Sequence, residues 1–178
     1  MSNQKTDKKI DRRSFLRSTA AAGAGLAFSP MVLGQTGDKK ADDINVALLG
    51  AGAQGQELMN ACLKIPGIRF KALCDIWTAW NQKRVSRILT AYKHEHNSYV
   101  DYKEMLDKEK DLDAVIIATP DFWHCEHAVA CLEAGLNVYC EKEMSNTLEG
   151  ARKMLEAAKK TGKLLQIGHQ RRSNPLYR

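Results

Sequence analysis

Ile44-Asn45-Val46-Ala47-Leu48-Leu49-Gly50-Ala51-Gly52-Ala53-Gln54-Gly55 carries the chain from a run of aliphatic residues straight into a glycine turn. The aliphatic run reads as a buried strand. Gln54 to Lys64 follows with Leu58, Ala61 and Cys62 on one helical face, and Pro66-Gly67 stops it. Three glycines between a strand and a helix are the fingerprint of a dinucleotide-binding βαβ unit. Gly50 permits the tight turn, Gly52 lets the backbone approach a pyrophosphate, and Gly55 lets the helix pack on the strand. The helix N-terminus presents N–H groups and a positive dipole end to the phosphates. Gly50, Gly52, Ala53, Gln54 and Gly55 are therefore the first candidate cofactor-binding residues.

Outward from this turn, short apolar runs alternate with amphipathic segments, as in a parallel α/β sheet. Strands are expected at Ile68 to Cys74, near Tyr99, at Ala114 to Ala118, Leu136 to Cys140 and Leu164 to Gly168. Helices are expected from about Thr78 to Ala91, after the Asp101-Tyr102-Lys103-Glu104 capping pattern, from about Phe122 to Ala134, and from Thr147 to Lys160. Gly135 and Gly162 stand where left-handed caps belong. Six strands with intervening helices make a complete doubly wound parallel sheet, the Rossmann fold.

Asp75 ends the second strand, twenty residues after Gly55. A carboxylate there accepts hydrogen bonds from the adenosine ribose hydroxyls and repels a 2′-phosphate, which favours NAD over NADP. A methyltransferase using S-adenosylmethionine would share the glycines and the acid, so two further segments separate the readings. Ala118-Thr119-Pro120-Asp121-Phe122-Trp123-His124 follows the fourth strand, and Tyr139-Cys140-Glu141-Lys142-Glu143 ends the fifth. Both lie at carboxyl ends of strands, where open α/β sheets bind ligands. His124 and His127 share a helical face at i, i+3, but no third residue completes a metal site. His94-Glu95-His96 reads as polar surface, and Trp77 and Trp80 either wall the adenosine side or pack the sheet edge.

The 178 residues are the length of one domain, with 44% hydrophobic and 27% charged residues, ordinary for a globular protein. The net charge is +6, but six basic and two acidic residues lie before Gly34, leaving little excess for the domain. No basic face for nucleic acid is expected. The leader contains Asp11-Arg12-Arg13-Ser14-Phe15-Leu16-Arg17 and an uncharged stretch from Ser18 to Gly34. It resembles a twin-arginine export signal, which implies the twin-arginine (Tat) machinery as partner and a periplasmic or exported destination. The uncharged stretch is too short and glycine-rich for a membrane span. The five cysteines, Cys62, Cys74, Cys125, Cys131 and Cys140, fall in apolar patterns with no CxxC pair, and read as buried hydrophobes rather than a disulfide framework. Folding before export would bury these thiols ahead of any oxidant.

The glycine loop, Asp75 and the two later loops together resemble the Gfo/Idh/MocA oxidoreductase family, from about Ile44 to Arg178. The resemblance implies NAD as cofactor and hydride transfer to or from a sugar or polyol. It implies that Lys142, the lysine of a Glu-Lys-Pro motif, lies beside the nicotinamide and substrate, with Glu141 at the cofactor and Thr119, Pro120 and His124 lining the nicotinamide side. Lys142 and His124 are thus the candidate catalytic residues. An ammonium near a reacting hydroxyl stabilises a developing oxyanion or, where burial lowers its pKa, exchanges a proton. Glu143 stands where the family has proline, which would restrict the backbone around the lysine. The family is bipartite, and the resemblance implies that its second α/β substrate domain is expected to be absent or truncated here. The expected division is a signal over 1–34, a linker over 35–43, the NAD-binding domain over 44–169 and the start of a truncated second domain over 170–178. Such a chain alone would be inactive. Two alternatives stay open: an NAD-retaining glycoside hydrolase of the same family, and a non-catalytic dinucleotide-binding fragment. Self-association of the full-length form is left open as well.

Overall fold

A computed structural model describes residues 43–173 and 175–177. The expected export signal and all of the linker but Asp43 lie outside the described residues. Six strands form one parallel sheet: β1 (Ile44–Leu49), β2 (Ile68–Cys74), β3 (Asn97–Tyr99), β4 (Ala114–Ile117), β5 (Asn137–Glu141) and β6 (Leu165–Gly168), in the order β3-β2-β1-β4-β5-β6. The helices are α1 (Ala53–Cys62), α2 (Lys83–Ala91), α3 (Tyr102–Lys108), α4 (Asp121–Glu133) and α5 (Leu148–Thr161). This is the doubly wound Rossmann order, and the direction of winding reverses between β1 and β4.

The two faces of the sheet bury separate cores. Met59 of α1 and Val85 and Leu89 of α2 pack on Val46, Leu48, Phe70, Leu73 and Ile116. On the other face Met105, Ala128, Cys131, Leu132, Met154 and Ala157 of α3 to α5 cover Ala47, Leu49, Ala72, Val115, Ile117 and Val138. Alternation along β2 breaks at Lys71, because Val46 pairs with Phe70 but Ala47 pairs with Ala72. The extra residue puts Phe70 and Leu73 on one face and Ala72 and Cys74 on the other.

Most helix ends follow the local chemistry of the sequence. Asp101 Oδ1 accepts from the Lys103 N–H at 2.8 Å and Thr147 Oγ1 from the Gly150 N–H at 3.0 Å. Gly135 and Gly162 adopt φ +88° and +68°. Glu104, expected to close a capping box, pairs with Lys108 one turn on. The helix expected from Thr78 to Ala91 opens with a π-helical turn, Thr78–Gln82, before α2.

His94 corrects the expectation of a polar surface loop. Its ring is buried, and Nδ1 accepts the Phe70 N–H at 3.0 Å. β3 begins only opposite Ala72, so it cannot reach the Phe70 amide, and the imidazole satisfies that donor instead.

Candidate functional site

The carboxyl ends of β1, β2 and β4 are in register, with Leu49 opposite both Cys74 and Ile117. Backbone bonds continue past the strand ends. The Gly50 N–H donates to Cys74 O at 2.9 Å, and the Ala118 N–H donates to Leu49 O at 2.8 Å. Three loops therefore leave the sheet side by side around a cleft of about 870 Å³.

The glycines divide the work of this cleft. Gly50 has φ +95°, and a Cβ there would meet the Ala118 carbonyl at 2.7 Å. A Cβ on Gly55 would lie 2.0 Å from Gly50 O. A Cβ on Gly52 would meet nothing within 4 Å, because it would project into open space on the cleft wall. Gly50 and Gly55 are thus set by the fold, and Gly52 by what the cleft must hold. Gly52 caps α1 without a side-chain acceptor, and no acidic residue occupies the first turn. The leading N–H groups of α1 are thereby left for an anion. This cradle and its donors fit a dinucleotide pyrophosphate.

Asp75 lies in the same cleft. Its Oδ2 accepts the Ala51 N–H at 2.7 Å and its Oδ1 accepts the Trp77 N–H at 2.7 Å. Ile76, Trp77, Phe122 and Trp123 supply apolar walls. Trp77 is therefore a wall residue, whereas Trp80 is 60% exposed and outside the lining. Thr119 and Pro120 line the opposite side, and Thr119 Oγ1 lies 3.0 Å from His127 Nδ1. Trp123 stacks on the His127 ring at 5.5 Å and Tyr102 meets it edge-on at 4.6 Å. Burial pushes the His127 pKa down to about 4, so the ring is neutral. Trp123, His127 and Tyr102 carried no cofactor role in the sequence; aromatic residues one turn apart on α4 were the available signal.

Glu141 is buried at the end of β5, 3% exposed, and outside the cleft lining. Its carboxylate accepts from Gln54 Nε2 at 3.1 Å, the Tyr139 hydroxyl at 3.3 Å and the Lys142 N–H at 3.2 Å. Gln54 thus belongs to both halves of the site: its backbone opens α1 and its side chain ties α1 to β5. Lys142 is exposed, and the Lys142–Glu143 peptide is cis. His124 is 1% exposed, with Nε2 2.8 Å from Thr119 O and Nδ1 2.6 Å from Glu143 O. Its ring binds the loop after β4 to the loop after β5. Among the described residues, no three His, Cys, Asp or Glu side chains gather as a metal site.

Comparison with known proteins agrees with this geometry. The profile described as "Oxidoreductase family, NAD-binding Rossmann fold" matches residues 44–169, and that of the twin-arginine translocation pathway signal sequence matches residues 9–29. The leader is therefore a Tat signal, and the chain is exported by that pathway. A glycosyl hydrolase family 109 protein of Shewanella baltica is 28% identical over 86% of this chain and 38% of its own length. A 4-carboxy-2-hydroxymuconate-6-semialdehyde dehydrogenase of Sphingobium is 30% identical over 74% of this chain and 40% of its own. Among solved structures, the WlbA dehydrogenase of Chromobacterium violaceum, in complex with NADH and UDP-GlcNAcA, aligns with a TM-score of 0.68 at 29% identity, covering 78% of this chain and 38% of that one. The chain thus spans well under half the length of these relatives. With the glycine cradle, Asp75 and the family match over most of the chain in agreement, the chain belongs to the Gfo/Idh/MocA oxidoreductase family, and residues 44–169 are its NAD-binding Rossmann domain.

Proposed function

We propose that this chain is the cofactor-holding part of an exported NAD-dependent oxidoreductase that oxidises or reduces a sugar or polyol. The observation that carries the reading is the tie from Gln54 to Glu141, which fixes the lysine-bearing strand end to the helix that cradles the pyrophosphate. Bound NAD supplies the hydride acceptor or donor. Asp75 orients the adenosine ribose, and the α1 N-terminus holds the phosphates. Lys142 is the catalytic residue: its exposed ammonium hydrogen-bonds the substrate hydroxyl and stabilises the oxyanion that develops there. His124 acts by holding Thr119 and Glu143 together, which sets the position of the Lys142 backbone. The second substrate wall comes from chain beyond Gly168, as the greater length of the relatives suggests.

A second reading, NAD-retaining glycoside hydrolysis, is favoured by the likeness to the family 109 protein over 86% of this chain. Incubation of the whole protein, with its second substrate wall in place, with NAD and a panel of sugars, polyols and aryl glycosides distinguishes the two. The first reading expects net NADH formation that Lys142→Met abolishes. Aryl-glycoside cleavage without net NADH would replace it with the second. Tight NAD binding by the whole protein with no turnover of any substrate would overturn both and leave a binding module.

A further inference from the structure

We propose that Tyr139 is a positioning residue for the nicotinamide half of the cofactor, acting through Glu141. Tyr139 lies on β5 two residues before Glu141, on the same face, and packs beside the core of α1 and α2. Its hydroxyl donates to Glu141 Oε1 at 3.3 Å, the same oxygen that takes the Gln54 amide at 3.1 Å. The neighbouring strand makes room for the phenol: a Cβ on Gly168 would lie 2.2 Å from the Tyr139 oxygen and 2.6 Å from its Cζ. Gly168 is therefore the floor on which the tyrosine stands. Burial, then the Glu141 charge, pushes the phenol pKa up to about 12, so it remains a donor. Among the described residues, the Glu141 carboxylate takes the Gln54 amide, the Tyr139 hydroxyl and the Lys142 N–H, two of them from side chains on different elements. Removing either frees a buried carboxylate to rotate within its own rotamers. The backbone amide of Lys142, bonded to Glu141 Oε2 at 3.2 Å, would move with it.

This inference rests on the reading that Glu141 and Lys142 serve the nicotinamide end, and its test separates the two. NAD and ADP-ribose share the adenosine and pyrophosphate, but only NAD carries nicotinamide. Binding of each to the full chain is measured for Tyr139→Phe, Glu141→Met and the double variant, with thermal midpoints as the check on folding. Tyr139→Phe is expected to weaken NAD about three- to tenfold while ADP-ribose stays within about twofold. In the Glu141→Met background the tyrosine substitution should add nothing. Equal weakening of both ligands, or no change in either, would overturn the role of Tyr139. A persisting tyrosine effect without the Glu141 carboxylate would overturn it too. Absence of the NAD-specific loss in Glu141→Met itself would overturn the underlying reading of Glu141. Should Glu141→Met fail to fold, Glu141→Ala takes its place, and Tyr139→Phe should then add nothing, since no acceptor is left for the hydroxyl.

Discussion

The Ala51 N–H donates to Asp75 Oδ2 at 2.7 Å, so the carboxylate at the end of β2 holds the glycine turn at the end of β1. One side chain thereby shapes the glycine turn and lines the cleft, where the proposed reading sets it against the adenosine ribose. Asp75→Asn keeps the size and one acceptor oxygen but removes the charge. It should weaken NAD about tenfold or more and narrow the preference of NAD over NADP, because the repulsion of a 2′-phosphate is lost. Titration calorimetry with both dinucleotides measures this. An unchanged NAD-to-NADP ratio would show that the carboxylate does not face the ribose.

The glycines of the turn should separate stability from binding. Gly50→Ala places a methyl 2.7 Å from the Ala118 carbonyl at φ +95°, and should cost at least about 2 kcal/mol of stability. Gly52→Ala has open space around it and an ordinary φ of −66°. Its thermal midpoint should match the parent protein while NAD affinity falls steeply, since the methyl takes up room the pyrophosphate needs. If Gly52→Ala binds NAD normally, the phosphates do not pass over Gly52.

The glycine spacing and Asp75 were legible in the sequence because they answer to the backbone alone: a positive φ, a close approach, a strand end. The six strands of a doubly wound parallel sheet followed from the alternation of apolar runs and helical faces. The bulge at Lys71 was not legible, since nothing in Ile-Arg-Phe-Lys-Ala-Leu-Cys marks which residue lacks a partner. His94 was misread because its role depends on where β3 begins, a tertiary fact. Gln54 could be placed on the cradle from spacing, but its side chain meets Glu141 only because α1 and β5 converge across 87 residues of sequence.

Two histidines make stability fall with acid. His127 is pushed down to about 4 by burial, and His94 is lowered by burial first and then by the Arg69 and His96 charges. In the unfolded chain both titrate near 6.5. Below about pH 6.5 the unfolded state therefore takes up protons that the folded state refuses, and unfolding becomes steadily easier down to about pH 4. Below that the His127 contribution levels off. His94 protonation also removes the acceptor of the Phe70 N–H. Thermal midpoints across pH 4 to 7 should drop by several degrees, and His127→Gln should flatten part of the slope. A parent slope that His127→Gln leaves unaltered would remove His127 from the account.

The cysteines test how the domain survives export. All five are free; Cys74, Cys131 and Cys140 are buried, while Cys62 and Cys125 are partly accessible. Burial pushes the first three up to about 12, so almost no thiolate forms at neutral pH, and Cys62 and Cys125 are also raised. The twin-arginine route carries folded proteins, so these thiols should meet an oxidising compartment already enclosed. In the native protein an aromatic disulfide reagent should modify Cys62 and Cys125 slowly, and the other three only at the rate of unfolding. Bound NAD should slow the latter three further without protecting Cys62, because ligand binding lowers the population of the unfolded state. Equal rates at all five cysteines would mean that the sheet opens readily, and that folding before export is no protection.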